Sequence, residues 1–292
     1  MTLGAAARLT RTAIEGLIAR FGLEIAGHIA FTTMLALFPF LMFLISLAGF
    51  LGETRSGQDF VATLELFAPA AVTATVQPAI EHIVETRSGS LLTIGFLLSL
   101  YSAGSGVATL RLALNLSYNL EEKRPLWYRK AQDFLIVILG SFVLILTSLV
   151  IILGPQIWSL IQLVFPVAPE DRDLWHIGRY GFTTAMILGG VIALHRFLPD
   201  AKLTLGQILP GAVVTTVAWI AAASALTIYF DRFADYAATY GSLGGVIITL
   251  LFFYISGIIF IFGGELNAAL LARHVNDPPI RPEELRSSAS NS

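Results

Sequence analysis

The sequence contains no cysteine and few charged residues. The absence of cysteine from all 292 residues excludes disulfides, thiol catalysis and cysteine-ligated metal sites. Charged residues make up only 13% of the chain and the net charge is −2, so the composition predicts no nucleic-acid partner. The five histidines show no metal-ligand spacing: His28, His82, His176, His195 and His274. We therefore expect neither a metal nor another cofactor.

Hydrophobic residues make up 55% of the chain and concentrate in six long apolar segments. An apolar helix of about 18 residues or more can cross the ~30 Å hydrocarbon core of a membrane. The segments are continuously apolar rather than alternating, which is unlike the strands of a membrane barrel. We therefore predict an all-α polytopic membrane protein, with a six-transmembrane-helix bundle over residues 28–272. The predicted helices lie near 28–51, 91–112, 134–154, 180–198, 207–230 and 243–271.

The basic residues are distributed unequally between the two sets of connecting segments. Lysine and arginine mark the cytoplasmic side of a membrane protein because they resist translocation. Twelve lie before the first helix, between helices 2 and 3, between helices 4 and 5, or after helix 6: Arg8, Arg11, Arg20, Lys123, Arg124, Arg129, Lys130, Arg196, Lys202, Arg273, Arg281 and Arg286. The other segments contain five: Arg55, Arg87, Arg172, Arg179 and Arg232. This bias predicts that both termini are cytoplasmic.

Three segments lie outside the predicted bundle. Residues 1–27 do not resemble a cleaved signal peptide, so we expect helix 1 to be an uncleaved anchor. Within this cytoplasmic segment, residues 10–25 predict an amphipathic helix that either lies on the membrane surface or leads into helix 1. Its apolar residues recur at helical spacing: Ile14, Leu17, Ile18, Phe21 and Ile25. The outer segment 58–86 is either a connecting loop or a cap over a cavity between the helices. Residues 273–292 are expected to form a disordered cytoplasmic tail.

Polar side chains inside the apolar segments are the candidate functional residues. An ionisable group at mid-membrane costs roughly 2.5–3.5 kcal/mol on insertion scales, so each needs a physical reason. In helix 2 such residues, together with one alanine, recur at steps of three and four along one stripe: Tyr101, Ser105, Ala108, Arg111, Asn115 and Tyr118. The stripe either lines a polar pathway or packs against neighbouring helices while Arg111 reaches the headgroups.

Helix 6 presents two different faces. Small residues that permit close helix approach recur at seven-residue steps: Ser242, Thr249, Ser256 and Gly263. Tyr240, Tyr254 and Glu265 lie almost opposite them, and Asn267 follows near the cytoplasmic end. Because Glu265 and Arg111 have similar expected depths, we predict that they pair.

Further charged residues fall at the same expected depth, at the ends of other helices. They are Glu24, His28, Asp133, His195 and Arg196. Each is either an interfacial anchor or part of a polar vestibule open to the cytoplasm.

Several blocks of the chain, in order, resemble the YihY/BrkB family over roughly residues 20–275. Near the C-terminus they are Tyr236-Ala237-Ala238-Thr239-Tyr240-Gly241-Ser242-Leu243-Gly244-Gly245 and Gly263-Gly264-Glu265-Leu266-Asn267-Ala268. Earlier blocks are Ala36-Leu37-Phe38-Pro39-Phe40, Leu110-Arg111-Leu112-Ala113-Leu114-Asn115 and Leu198-Pro199-Asp200. Phe31 and Thr32 stand where family members often have two tyrosines.

The resemblance implies a six-helix bacterial inner-membrane protein linked to envelope integrity, serum resistance and movement of lipid-type precursors. An older ribonuclease label also attaches to the family. The residues do not favour that label, because they show neither a carboxylate cluster for two metals nor a basic, aromatic-lined groove. We therefore expect a non-enzyme, although Glu265 could serve as a base in an intramembrane enzyme.

Two functions remain open after the resemblance. The first is a transporter or lipid-translocating accessory whose path is lined by the polar residues of helices 2 and 6. These are Tyr101, Ser105, Arg111, Asn115, Tyr240, Tyr254, Glu265 and Asn267. The second is a non-transporting scaffold for envelope-assembly proteins. Expected partners are membrane lipids, a lipid-type substrate, envelope-assembly proteins or a second copy of the chain.

Overall fold

The computed structural model describes residues 3–51, 89–164, 169–232 and 242–274, and in these residues it contains seven α-helices and no strand. The all-α prediction is thus confirmed. The helices are α1 (Leu3–Ala19), α2 (Gly22–Leu51), α3 (Gly89–Ser117), α4 (Leu126–Val164), α5 (Pro169–Phe197), α6 (Leu205–Arg232) and α7 (Ser242–His274). The outer segment 58–86, Tyr240 and most of the predicted tail lie outside the described residues.

Six of these helices, α2 to α7, are long and apolar enough to cross a membrane. Their candidate spans are Gly22–Phe40, Thr93–Ser117, Leu126–Thr147, Ile177–Phe197, Leu205–Tyr229 and Gly245–Ala272. Each span overlaps one of the six predicted segments, and the protein is a polytopic membrane protein. The helices extend beyond the apolar segments, most clearly α4, because charged and aromatic residues at the ends of a spanning helix remain helical.

Large apolar side chains are exposed along the spanning helices, as expected where lipid rather than water surrounds them. On α4 the exposed residues include Leu135, Ile138, Phe142 and Leu144. Continuous apolar surface of this kind is rare on soluble monomers. A hydrocarbon solvent removes the penalty for exposing it.

The chain forms two compact units. Unit 1 consists of Met1–Arg20, Leu114–Ala218 and Phe262–Ser292, and unit 2 consists of Phe21–Ala113 and Trp219–Ile261. Unit 1 therefore contains α1, α4 and α5 whole, together with the end of α3, the first half of α6 and the end of α7.

Within unit 2, α2 packs closely against both α3 and α7. A Cβ atom on Gly95 would lie only 3.0 Å from the Phe43 backbone, and one on Gly257 only 3.1 Å from Ala26 Cα. His28 Nδ1 lies 2.9 Å from Thr109 Oγ1, which adds a polar contact between α2 and α3. Close backbone approach at small residues is the usual way in which membrane helices associate.

The N-terminal amphipathic segment differs from its predicted form. The predicted helix over 10–25 ends at Ala19, and α2 begins at Gly22. Phe21, between them, has a φ of 57°, a left-handed conformation that is unusual for a bulky residue. Ile25 consequently belongs to α2, so the single apolar face predicted for this segment is wrong.

Within α1 the apolar residues divide between two faces. Leu9, Ala13 and Leu17 are buried, whereas Ile14 and Ile18 are 46% and 61% exposed. A helix with one packed face, one exposed apolar face and polar residues elsewhere is typical of a membrane–water interface.

Candidate functional site

The structure distributes the predicted site residues between the two units. Asn115, Glu265 and Asn267 lie in unit 1. Four others lie in unit 2: Tyr101, Ser105, Arg111 and Tyr254. Tyr240 lies outside the described residues. The three residues of unit 1 are buried, and each has described partners.

Glu265 forms an ion pair with Arg20, the last residue of the unit's N-terminal segment. Arg20 Nη1 donates to Glu265 Oε2 at 2.5 Å. The Glu265 side chain is only 3% exposed, whereas that of Arg20 is 39% exposed. The cation that the structure describes beside this carboxylate therefore comes from the turn after α1, a position that sequence reasoning did not include in the site.

Gly16 makes room for this ion pair. A Cβ atom at Gly16 would collide with Glu265 Oε2 and lie 2.7 Å from Arg20 Nη1. A larger residue would therefore separate the two charges. Gly16, in the last turn of α1, and Arg20, just after the helix, therefore contact the same carboxylate: Gly16 leaves the space and Arg20 supplies the cation.

Arg111 is 4% exposed, so its interpretation as a side chain that extends to the headgroups is wrong. The sequence argument for that interpretation used depth alone. Depth does not reveal which face of α3 meets protein. The pairing of Arg111 with Glu265 stays a prediction.

The two glycines before Glu265 bring α7 against two other helical segments of unit 1. A Cβ atom on Gly263 would collide with Thr215 Oγ1 and lie 2.9 Å from the Gly211 carbonyl oxygen on α6. One on Gly264 would lie 2.7 Å from Leu114 Cδ2 at the end of α3. The predicted small-residue contact face is confirmed at Gly263.

Asn267 hydrogen-bonds to the backbone of α6 beside a proline. Its Oδ1 accepts from the Gly211 N–H at 2.7 Å, and its Nδ2 donates to the Ile208 carbonyl at 3.0 Å. Pro210 lacks an N–H group and disturbs the helical hydrogen bonds around it. Asn267, which is fully buried, thus supplies polar partners where the α6 backbone needs them.

Asn115 joins two connecting segments, residues 118–125 and 198–204. Its Nδ2 donates to Glu122 Oε2 at 3.1 Å, and its Oδ1 accepts from the Asp200 N–H at 2.9 Å. Glu122 in turn receives two hydrogen bonds of 2.7 Å from Arg124 Nε and Nη2. Arg124 Nη2 also donates to the Leu198 carbonyl at 2.7 Å. We call Asn115, Glu122, Arg124 and Asp200 the loop network.

In the loop network, hydrogen bonds and opposite charges together outweigh the effect of burial on the pKa values. Burial raises the pKa of Glu122, but hydrogen bonds and charge from Arg124, with a bond from Asn115, hold it below its ordinary value. Burial lowers the pKa of Arg124, and Glu122 and Asp200 together raise it above its ordinary value. Two-point contacts of this type fix geometry as well as charge.

Two hydroxyl groups are buried beside the Glu265 ion pair. Ser117 is 2% exposed and Tyr118 is 5% exposed. Burial raises the pKa of the Tyr118 phenol, and the charge of Glu265 adds to this rise. Glu265 therefore lies in a water-poor environment, in which an ion pair is stronger than at a surface.

Asp133 and His195 are also buried, with exposures of 1% and 0%. His195 Nδ1 lies 3.0 Å from the Val191 carbonyl oxygen, one turn earlier on α5. The interpretation of these two residues as interfacial anchors is wrong, because both side chains face protein. Arg196, by contrast, is exposed and donates to the Leu203 carbonyl at 2.7 Å.

The predicted residues of unit 2 do not share one environment. Tyr101 is 63% exposed, Ser105 is half-buried and Arg111 is buried. The polar stripe predicted for the second spanning helix, which is α3, is therefore exposed at one end and buried at the other. Tyr254 is half-buried, 4.0 Å from the position that a Cβ atom on Gly27 would take.

Comparisons with known proteins support the resemblance found in the sequence. The ribonuclease-like protein YfkH of Bacillus subtilis (strain 168) is 32% identical over 248 residues, which cover 85% of this chain and 90% of YfkH. A UPF0761 membrane protein of Pseudoalteromonas translucida (strain TAC 125) is 22% identical over 263 residues, covering 87% of this chain and 83% of that protein. No solved structure matches the chain significantly. The family described as Virulence factor BrkB matches residues 13–287, and the chain therefore belongs to the BrkB family.

Proposed function

We propose that the protein is a transporter, or a lipid-translocating accessory, of the bacterial inner membrane that acts in envelope biogenesis with both termini in the cytoplasm. The observation that carries this proposal is the ion pair between Arg20 and Glu265. Glu265 lies within the span Gly245–Ala272 and is only 3% exposed. Ionisable groups inside spanning helices are costly, and they commonly mark pathways for substrates, ions or protons.

The ion pair also gives the protein a part that can move. Arg20 lies at the end of α1, which is not one of the spanning helices, whereas Glu265 belongs to α7. Protonation of Glu265, or arrival of a competing anion at Arg20, would remove one of the attractions that hold α1 in place, beside its buried apolar face. A chemical event at the site would thereby change the position of a surface helix, as transport requires.

A lipid-type substrate agrees with the surface of the spanning helices. Unit 1 exposes continuous apolar residues on α4 and α5, so a lipid can reach the protein without leaving the hydrocarbon. Within unit 1, Asn115, Glu265 and Asn267 are the predicted residues that such a path would include. Membrane lipids are the partners that this function requires.

One observation favours the alternative, a scaffold for envelope-assembly proteins or for a second copy of the chain. The side-chain amides of Asn115 and Asn267 each use both oxygen and nitrogen in structural hydrogen bonds. These two amides therefore stabilise unit 1 as it stands. A scaffold needs such rigidity, whereas a substrate path needs polar groups that can change partners.

We also propose that the protein is not a ribonuclease, although a relative is named ribonuclease-like. The support is chemical. Hydrolysis of RNA by two metals needs clustered carboxylates, and RNA binding needs a basic surface. The net charge of −2 does not favour such a surface.

The test uses Glu265→Gln, which keeps the size of the side chain and removes its charge. Glu121→Gln, an exposed position near the loop network, is the matched control. Both variants are expressed at wild-type levels in a deletion strain with an envelope-stress phenotype, and both are reconstituted into vesicles with a fluorescent phospholipid. A transporter requires that Glu265→Gln lose complementation and lipid movement while Glu121→Gln keeps both. Near-normal complementation by Glu265→Gln, with no lipid movement by the wild type, would support the scaffold.

A further inference from the structure

Unit 1 contains a cavity between α4 and α5 that the Glu265 region does not include. Its volume is about 510 Å³, within the range of small-molecule sites in proteins. Its lining is aliphatic, aromatic or glycine except for one cation: Ile157, Trp158, Trp175, Gly178, Arg179 and Phe182. An occupant of such a cavity would carry an apolar body and one anionic group.

Arg179 has local contacts but no described carboxylate partner. Its Nη2 donates to the Tyr180 hydroxyl at 3.0 Å, and its guanidinium carbon lies 4.7 Å from the Tyr180 ring centre. Its Nη1 lies 3.4 Å from the Ile151 carbonyl oxygen. Within the described residues, no carboxylate forms an ion pair with Arg179 and its buried Nε has no acceptor. Arg179 is thus the one cation in the lining, and no described carboxylate neutralises it.

Two tryptophans of the same cavity stack on each other. Trp158 and Trp175 stack with ring centres 5.9 Å apart. Trp175 Nε1 donates to the Gly154 carbonyl at 3.1 Å, but Trp158 Nε1 is buried and finds no acceptor in the part of the chain that the structure describes. The two stacked rings thus form an aromatic wall of the cavity.

Gly154 allows Arg179 to lie at this cavity. A Cβ atom on Gly154 would lie 2.5 Å from Arg179 Cδ and 3.1 Å from its Nη1. By contrast, a Cβ atom on Gly178 would have no atom within 4 Å, so this helical glycine leaves open space in the lining. In this cavity Arg179 therefore packs against Gly154 of α4, and the space beside Gly178 is unfilled.

The cavity lies at the opposite end of α5 from the loop network. Arg179 precedes Phe197 by about 27 Å along the helix axis, close to the thickness of the hydrocarbon core. Trp and Tyr are frequent at the depth of lipid headgroups. With cytoplasmic termini as proposed above, the cavity lies at the outer leaflet.

We propose that this cavity binds the phosphate group of a membrane lipid, with the Arg179 guanidinium pairing with the phosphate and the apolar lining covering the lipid body. This assignment rests on the proposed lipid-handling function and names the headgroup chemistry and its site. Arginine suits phosphate because its planar group donates two parallel hydrogen bonds.

The experiment measures lipid binding to the full-length protein in detergent micelles, by quenching of tryptophan fluorescence with brominated acyl chains. Three probes separate the sources of binding: phosphatidic acid, diacylglycerol with the same chains, and inorganic phosphate as competitor. Arg179→Gln removes the charge, and Lys202→Gln, an exposed cation at the other end of α5, is its control. Gly178→Leu fills the cavity. Gly181→Leu, also with no atom within 4 Å, controls for a leucine on the same helix.

The expected result is that the wild type prefers phosphatidic acid to diacylglycerol, and that Arg179→Gln weakens phosphatidic acid binding about tenfold or more. Gly178→Leu should weaken both lipids, and the two controls should bind like the wild type. Equal binding of phosphatidic acid by Arg179→Gln and the wild type would overturn the site. Displacement of the lipid by inorganic phosphate at similar concentrations would overturn the assignment to a lipid.

The result of this lipid-binding experiment is independent of the complementation and lipid-movement test of the proposed function. Lipid movement in vesicles with undiminished binding by Arg179→Gln contradicts this site and leaves the proposed function standing. Binding that depends on Arg179 without lipid movement contradicts the proposed transport function instead.

Discussion

Arg20 and Glu265 are 245 positions apart in the chain and form an ion pair of 2.5 Å. The pair is asymmetric, because the carboxylate is buried and the guanidinium is partly exposed. Removing the carboxylate and removing the guanidinium therefore have different consequences. The carboxylate depends on its partner for stabilisation, whereas Arg20 can turn to water.

This asymmetry predicts unequal effects on stability. Arg20→Gln leaves a buried charge without its cation and should lower the free energy of unfolding by about 1–3 kcal/mol. Glu265→Gln removes the buried charge and should cost less. In a double-mutant cycle from thermal unfolding in detergent, the two substitutions should couple by about 0.5–3 kcal/mol.

The control for this cycle is the pair Arg11–Glu15, which has a similar distance of 2.8 Å but side chains that are 80% and 62% exposed. Exposed pairs of this kind contribute little, so this second cycle should show no measurable coupling. Strict additivity of Arg20→Gln and Glu265→Gln would mean that the observed pair does not stabilise the protein.

The close contact between α6 and α7 predicts that two glycines cannot be enlarged. Gly263→Ala and Gly211→Ala each place a Cβ atom against the opposing backbone, and each should destabilise the protein by about 1–3 kcal/mol. Gly189→Ala on α5, where a Cβ atom meets nothing within 4 Å, should be neutral or gain about 0.5–1 kcal/mol from helix propensity. Thermal unfolding in detergent measures all three, and equal stability of Gly263→Ala and the wild type would contradict the contact.

The sequence predicts the six spanning helices because hydropathy over about 20 residues depends on composition and not on partners. It also predicts the small-residue contact at Gly263, since seven-residue spacing keeps residues on one face. It did not predict which cation lies beside Glu265. The free-energy cost of an ionisable group in the membrane was applied only to residues inside the apolar segments, and Arg20 lies in a turn outside them.

The same limit explains two further differences. The break between α1 and α2 occurs at Phe21, whose left-handed φ is not expected for a bulky residue, so no sequence signal marks it. The cavity beside Arg179 depends on glycines and aromatic residues of two helices that meet only in the fold. Helical spacing finds faces within one element, and it does not find which faces meet.

The loop network predicts a stability change in the acid range. Because the pKa of Glu122 is below its ordinary value of 4.5 in the folded protein, its contribution to stability is fully present above that value. The contribution is lost as the pH falls through the lower, folded-state pKa. Unfolding followed from pH 7 to pH 3 should therefore show a smaller acid-dependent loss for Glu122→Gln than for the wild type.

Glu121→Gln provides the control for this measurement. Glu121 is exposed and adjacent in sequence, so its substitution should leave the acid profile of the wild type unchanged. An identical profile for Glu122→Gln and the wild type would show that the pairing with Arg124 does not contribute.

The charge bias predicts the orientation of the protein, and reporter fusions at connecting positions measure it. Fusions after Lys123 and after Lys202 should report the cytoplasm, because both positions belong to the lysine- and arginine-rich set of segments. Fusions near Glu65, Asp173 and Arg232 should report the opposite side.

The loop network joins residues 118–125 to residues 198–204 through Asn115 and Asp200, so these two segments must lie on the same side of the membrane. Opposite reporter signals after Lys123 and Lys202 would therefore contradict both the charge argument and the observed hydrogen bonds, and a cytoplasmic signal near Asp173 would overturn the six-helix topology.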